Sequence, residues 1–199
     1  MPSIWCALRT FANHAKEMGG KPLTSPRFFL KPWGALTQPP IGCELQLPSH
    51  LDQVHHEIEL VLKIGKNQTF SEIAVGLDLT DRMTQTVAKS EGMPWTQSKG
   101  FANSAIVGNF KEVPVDITNL RLELTINGEP RQGASIGEMS FSPLDLISNL
   151  SQWAPLENGD LLFCGTPSGV GPLNRMDHVQ ARLLNEDGTV ISELDLILV

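Results

Sequence analysis

Short apolar, β-prone runs separated by turn residues dominate this chain. They predict strands over Ile4–Arg9, Phe28–Lys31, Glu44–Leu47, His56–Ile64, Ala105–Gly108, Leu120–Ile126, Asp160–Cys164, His178–Leu184 and Thr189–Leu196. The clearest period of two, Leu120, Leu122, Leu124 and Ile126, runs into Asn127-Gly128, a hairpin signal. Asp187-Gly188, between Leu183-Leu184 and Val190-Ile191, is a second one. Helical spacing is confined to two segments. One is Asp81–Lys89. The other is Pro143–Trp153, where Leu144, Ile147, Leu150 and Trp153 recur at three- and four-residue steps, Ser142 suits the N-cap and Pro143 the first turn. Those four apolar residues are expected in the core. The pattern predicts an α+β chain that is mainly β. The stretch Met18–Pro26, rich in Gly, Pro and Ser, predicts a loop that is either a passive connector or a lid.

The length of 199 residues fits a single domain, or one with a small N-terminal appendage, that buries roughly 70% of its unfolded surface, so no disulfide is needed for a core. A formal charge of −7 argues against nucleic-acid or anionic-membrane partners, which require basic patches. No apolar run approaches the roughly 18 residues of a membrane span, and Met1-Pro2-Ser3-Ile4-Trp5-Cys6 does not read as a secretory signal. Cys6, Cys43 and Cys164 are odd in number and without paired spacing, which predicts free thiols in a reducing, cytoplasmic setting. The apolar neighbours of Cys164 predict a packing role for it rather than a nucleophilic one.

Two acids interrupt the β-prone run His55–Gly65. Glu57 and Glu59 stand two apart, which on a strand places both on one face. Carboxylates so placed repel and are costly to bury unless a cation lies between them. Asp78, in Gly76-Leu77-Asp78-Leu79-Thr80, can supply a third oxygen donor. Three hard oxygen ligands suit Mg2+ or Mn2+, and Ca2+ less closely. An exposed edge strand with its acids in water gives the same spacing. His55 and His56 beside the acids are read as packing residues or as supports for the ligands.

A further pair, His14 and Glu17, lies three residues apart, on one face if the segment is helical. A carboxylate against an imidazole fixes its tautomer and raises its basicity, which makes a general base for water. A solvated helix face would share this spacing.

Taken in order, His14/Glu17, Phe29-Leu30-Lys31-Pro32, His56-Glu57-Ile58-Glu59, Asp78-Leu79-Thr80-Asp81-Arg82, Trp95-Thr96-Gln97-Ser98-Lys99-Gly100-Phe101 and Gly165-Thr166-Pro167-Ser168-Gly169-Val170-Gly171 closely resemble the fumarylacetoacetate hydrolase family, in particular its small acylpyruvase and oxaloacetate decarboxylase-like branch. The resemblance covers nearly the whole chain. It implies a rolled, barrel-like mixed sheet with a few short helices, one catalytic domain over 1–199 with a lid around 12–28, and a homodimer. It implies Mg2+ or Mn2+ on Glu57, Glu59 and Asp78, substrate contacts from Arg82, Gln85 and Thr166, and catalytic roles for His14, Glu17 and Lys99. The implied substrate is a short 2-oxo acid. The implied reaction is acylpyruvate-type hydrolysis, with oxaloacetate decarboxylation, or isomerisation and decarboxylation of unsaturated dicarboxylates, as the alternatives. Thr10-Phe11 stands where the family commonly has Asn-Tyr, and Met83 where it has an acid. These departures keep a third reading open, a weakly active binding or scaffold relative.

Overall fold

The computed structural model describes residues 1–17, 19, 23–51 and 53–199, and the expected lid around 12–28 falls partly outside them. Strands dominate, with four short α-helices over Ala12–Glu17, Arg82–Glu91, Thr96–Lys99 and Pro143–Leu150 among the described residues. The mixed main sheet curls into a half-barrel. It runs from Phe28–Lys31 through Ile4–Ala7, Leu161–Phe163, Ile58–Ile64, Phe70–Asp78 and Ala105–Val107 to Leu36–Thr37. A second sheet orders Glu129–Ser135, Arg121–Ile126, His178–Leu184, Val190–Leu198 and Cys43–Leu45. A small third sheet joins Gly171–Pro172, Val54–His56 and Thr80–Asp81.

The larger core lies between the two main sheets. Ile58, Leu60, Leu62 and Ile64 meet Leu122, Leu124, Val179, Ala181, Leu194 and Leu196 there, all essentially buried. Burying a side chain of this size contributes roughly 1.5–3 kcal/mol, so this seam carries much of the fold's stability. Val61, on the opposite face of the same strand, joins a smaller cluster with Ile4, Cys6, Ala74 and Phe163. A strand buried on both faces reads as a continuous apolar run, which is why its one acid, Glu59, stands out.

Both hairpins form, Arg121–Ile126 with Glu129–Ser135 and His178–Leu184 with Val190–Leu198. The expected strand His56–Ile64 is instead two strands in different sheets, Val54–His56 and Ile58–Ile64, with Glu57 between them. Phe70–Asp78, nine residues pairing along Ile58–Ile64, was not among the predicted strands. The expected helix Asp81–Lys89 begins at Arg82 because the Asp81 side chain accepts the Thr84 N–H as N-cap, and it runs on to Glu91. The helix from Pro143 ends at Leu150 rather than Trp153, and the expected core set is corrected with it. Ile147 and Leu150 are buried, but Leu144 is 65% and Trp153 60% exposed. An eight-residue helix has room for only a narrow buried stripe, and Trp153 lies beyond it, edge-on to Trp5 at 5.7 Å.

Candidate active site

Alternation along two neighbouring strands builds the acidic end of the site. Glu59 shares the face of Val61, and opposite Glu59 in the ladder is Gly76. Along Phe70–Asp78, Ala74, Gly76 and Asp78 share one face, the one that meets the smaller cluster. Glu59 and Asp78 therefore rise from the same side of adjacent strands. Glu57 sits where the chain crosses between sheets, pinned by its carbonyl accepting the Asp78 N–H at 2.9 Å. Glu57, Glu59 and Asp78 are all buried, and each offers an oxygen within 4.8 Å of the others.

Cations surround them. Lys99 Nζ donates to Glu57 Oε2 at 2.9 Å and to Asp78 Oδ2 at 2.6 Å. Arg82 donates to Glu57 Oε1 at 2.6 Å and to Gln85 Oε1 at 2.7 Å. Lys31, fully buried, lies 2.7 Å from Asp78 Oδ1. Its three hydrogens go to the carbonyls of Leu79, Lys99 and Ser104. Asp78 Oδ1 thus has a charge beside it but no hydrogen bond. Burial alone would raise the Glu57 carboxyl, yet Lys99 and Arg82 outweigh it and hold the group at about 2. Burial likewise lowers an ammonium, but Asp78 and Glu57 leave Lys99 above its ordinary value. Glu59 is the reverse case. Burial, then Asp78 and Glu57, push it well up against the attraction of Lys99 and one hydrogen bond from Gly165 N–H at 2.6 Å. An acid that resists ionising beside a buried oxygen without a hydrogen bond, in an all-oxygen donor set, is what a hard dication would satisfy. The residues fit Mg2+ or Mn2+.

The imidazole end is lighter. His14 Nδ1 meets Glu17 Oε2 at 3.2 Å on the six-residue helix Ala12–Glu17, and Glu17 accepts the Gly169 N–H at 3.1 Å. His14 lines the same cavity as the three acids, with Arg82, Gln85, Lys99 and Thr166. Every site residue expected from the sequence except Glu17 lines this cavity, and Glu17 meets His14 at its edge. The Gly165–Gly171 loop is shaped by backbone freedom: Gly165 has φ +91° and Gly169 φ +98°, and a side chain would strike Thr10 at the first and the Arg131 carbonyl at the second.

The departures from the family pattern have local explanations. Met83 is 53% exposed, and Arg82 is oriented by Glu57 and Gln85 without an acid at position 83. Thr10 donates its hydroxyl to the Cys164 carbonyl at 2.7 Å and Phe11 is buried. Cys164 is buried and its thiol is pushed up by burial, consistent with packing. His56 is buried against Gln132 at 2.9 Å.

Sequence reading assigned no role to four residues here. Lys31 was visible as a lysine between apolar residues and a proline. Gln132 accepts from Ile58 N–H at 3.0 Å and donates to Thr166 Oγ1 and the Pro167 carbonyl, both at 2.9 Å. No local pattern marks it. Arg9 and Lys89 also line the cavity. The spacing Arg82, Gln85, Lys89 was the available signal for Lys89, since it defines one helix face.

A curled mixed sheet presenting a buried cluster of three acids that fits a divalent cation, with His14 lining the same cavity, has the form of an enzyme site. The sequence profile described as "Fumarylacetoacetate (FAA) hydrolase C-terminal" matches residues 3–195. The chain belongs to the fumarylacetoacetate hydrolase family. It is 38% identical over 200 aligned positions to the mitochondrial oxaloacetate tautomerase FAHD1 of Mus musculus, covering 94% of this chain and 88% of that protein. It is 35% identical to the mitochondrial oxaloacetate decarboxylase of Dictyostelium discoideum, over 83% of this chain and 81% of that one. The fumarylpyruvate hydrolase of Pseudomonas aeruginosa, solved in complex with Mn2+ and pyruvate, superposes with a TM-score of 0.90 at 33% identity, covering 100% of this chain and 90% of that one.

Proposed function

We propose that the protein hydrolyses a carbon–carbon bond in a short acylpyruvate-type 2-oxo acid. The observation that carries this is the joining, in one cavity, of a three-acid cluster and a His14–Glu17 pair. A divalent cation on Glu57, Glu59 and Asp78 supplies Lewis-acid polarisation of the 2-oxo acid when bound. The rest is done by the chain. Glu17 accepts from His14 Nδ1–H, which leaves Nε2 to take a proton from water. Glu17 is itself steadied by Gly169. Gln85 has Oε1 occupied by Arg82, so its Nε2 hydrogens remain to donate. Thr166 Oγ1 accepts from Gln132, so its own hydrogen remains too. Such donors, with Lys99, stabilise the oxyanion that forms at the attacked carbonyl, each contributing about 3 kcal/mol. As it stands the cavity volume is about 40 Å³, room for a few waters and too little for a 2-oxo acid. Substrate therefore enters as side chains at the rim give way, and we assign the segment around 12–28 the part of a lid.

The test is loss of the diketone absorbance of acetylpyruvate with Mg2+ present. Wild-type turnover, with near-complete loss in His14→Ala and in Glu59→Ala while both stay folded, supports the reading; equal rates in the variants end it. A second reading has a specific support, the names of the relatives at 35–38% identity, which act on oxaloacetate. The same cavity could run that tautomerisation or decarboxylation, and pyruvate release from oxaloacetate with and without EDTA separates the two readings. No helix among the described residues is long and apolar enough to cross a membrane. Three free cysteines, two of them buried, support a reducing cytoplasmic setting. Family membership supports a homodimer, which sedimentation would test.

A further inference from the structure

Two cations in the cavity wall have no acidic partner among the described residues. Lys31, Lys99 and Arg82 are all committed to Asp78 and Glu57. Arg9 and Lys89 line the same cavity, and among the described residues neither makes an ion pair with a carboxylate. Arg9 is held at φ +55°, a conformation sparse for residues with a side chain. Thr10 beside it is tied to the Cys164 carbonyl, which fixes the backbone against the Gly165 loop. Lys89 shares a helix face with Arg82 and Gln85, and its ammonium lies 5.3 Å above the Trp95 ring, itself part of the wall. Partial burial first, then repulsion from Arg82, Arg9 and Lys99, lowers the Lys89 pKa, with Glu57 acting the other way. Four cations therefore converge on one opening.

The geometry points to Arg9 and Lys89 as a second anion subsite, at the mouth of the cavity, that receives a carboxylate at the far end of the substrate. This rests on the 2-oxo acid reading above and narrows it. Two cations stabilise a carboxylate but not the neutral carbon dioxide that decarboxylation would release from it. A carboxylate held there is one that survives the reaction. The subsite therefore selects acylpyruvates whose acyl group itself ends in a carboxylate, over substrates that lose that group. A rival route exists. An apolar groove of Phe28, Leu30, Met93 and Pro94 opens beside the site and shares Leu8, Phe29 and Trp95 with it. An uncharged acyl chain would take that path.

The deciding experiment compares succinylpyruvate with butanoylpyruvate, which differ only in a terminal carboxylate against a methyl. With Mg2+ bound, wild-type kcat/KM should favour succinylpyruvate by roughly tenfold or more, the yield of a charge-assisted hydrogen bond. Arg9→Met and Lys89→Met should each pull that ratio towards one, and raised salt should shrink it in the wild type. Lys89 is exposed over most of its surface and only its cavity-facing part is shielded, so its variant keeps the test valid if Arg9→Met fails to fold. No wild-type preference, a preference for butanoylpyruvate, or a ratio unmoved in the folded variants overturns the subsite. If neither compound is cleaved, the hydrolytic reading fails by itself. Calorimetric binding of the same pair then decides the subsite: tighter binding of the diacid, lost in the variants, supports it, and equal affinities overturn it.

Discussion

The two ends of the site are built differently. The acids stand on long, paired strands or at their junction, fully buried, with Lys31, Lys99 and Arg82 locked around them. The His14–Glu17 pair stands on a six-residue helix and is fastened through one contact between its members and one glycine N–H. Buried charge is costly unless its partners are fixed, so it demands a rigid frame. A base that must meet water and substrate does not. Removing a cation from the acidic end should therefore damage both fold and chemistry, whereas removing Glu59, the acid that resists ionising there, or a member of the imidazole pair should damage chemistry with the fold kept.

Lys31→Met is the harshest break of this contrast. It strips a buried charge from Asp78 and leaves three carbonyls without a donor. The expected loss is about 3–5 kcal/mol, read as a fall of roughly 6–20 °C in the thermal midpoint for a chain of this size. Next comes His14→Ala, which should lower kcat by roughly 10²–10⁴ while the midpoint falls by roughly 1–6 °C, since the imidazole is buried but makes a single hydrogen bond, to Glu17. A midpoint drop as large as that of Lys31→Met would erase the contrast.

Acid titration sharpens it further. Glu57 is held at about 2, below its unfolded value. Its contribution is therefore present above the ordinary glutamate range and lost as pH falls towards 2. Chelator-treated protein should weaken over that interval in urea melts, and Lys99→Met, with one of the two holding cations gone, should flatten the slope. The smallest effect belongs to Gln132→Leu, which spans the two ends. It frees Thr166 and the Gly-rich loop, so a loss of roughly tenfold in activity is expected from the unmade hydrogen bonds. Steady-state kinetics would show it.

How far the sequence carried this account follows the same division. The three acids and the His14–Glu17 spacing were legible because titratable groups in apolar or regularly spaced surroundings stand out, whereas Lys99, Arg82, Gln85 and Thr166 were placed by the resemblance to the family. The frame was less so. Ile73, Val75 and Leu77 alternate with Ala74, Gly76 and Asp78, but small residues on one face weaken the contrast, and the strand Phe70–Asp78 was missed. The break at Glu57 is set by which sheet each half joins, a non-local matter. Gln132 reaches His56 and Thr166 across 76 and 34 residues of sequence, with no local pattern to reveal it. Leu144 and Trp153 kept helical spacing yet face outward, because spacing gives the stripe and not how far the partner surface extends.

The central claim is that Glu57, Glu59 and Asp78 hold one divalent cation. Calorimetric titration with Mn2+ tests it most directly. One ion per chain is expected in the wild type and in His14→Ala, with binding abolished in Glu59→Ala. No uptake by the wild type, or undiminished uptake by Glu59→Ala, would contradict it.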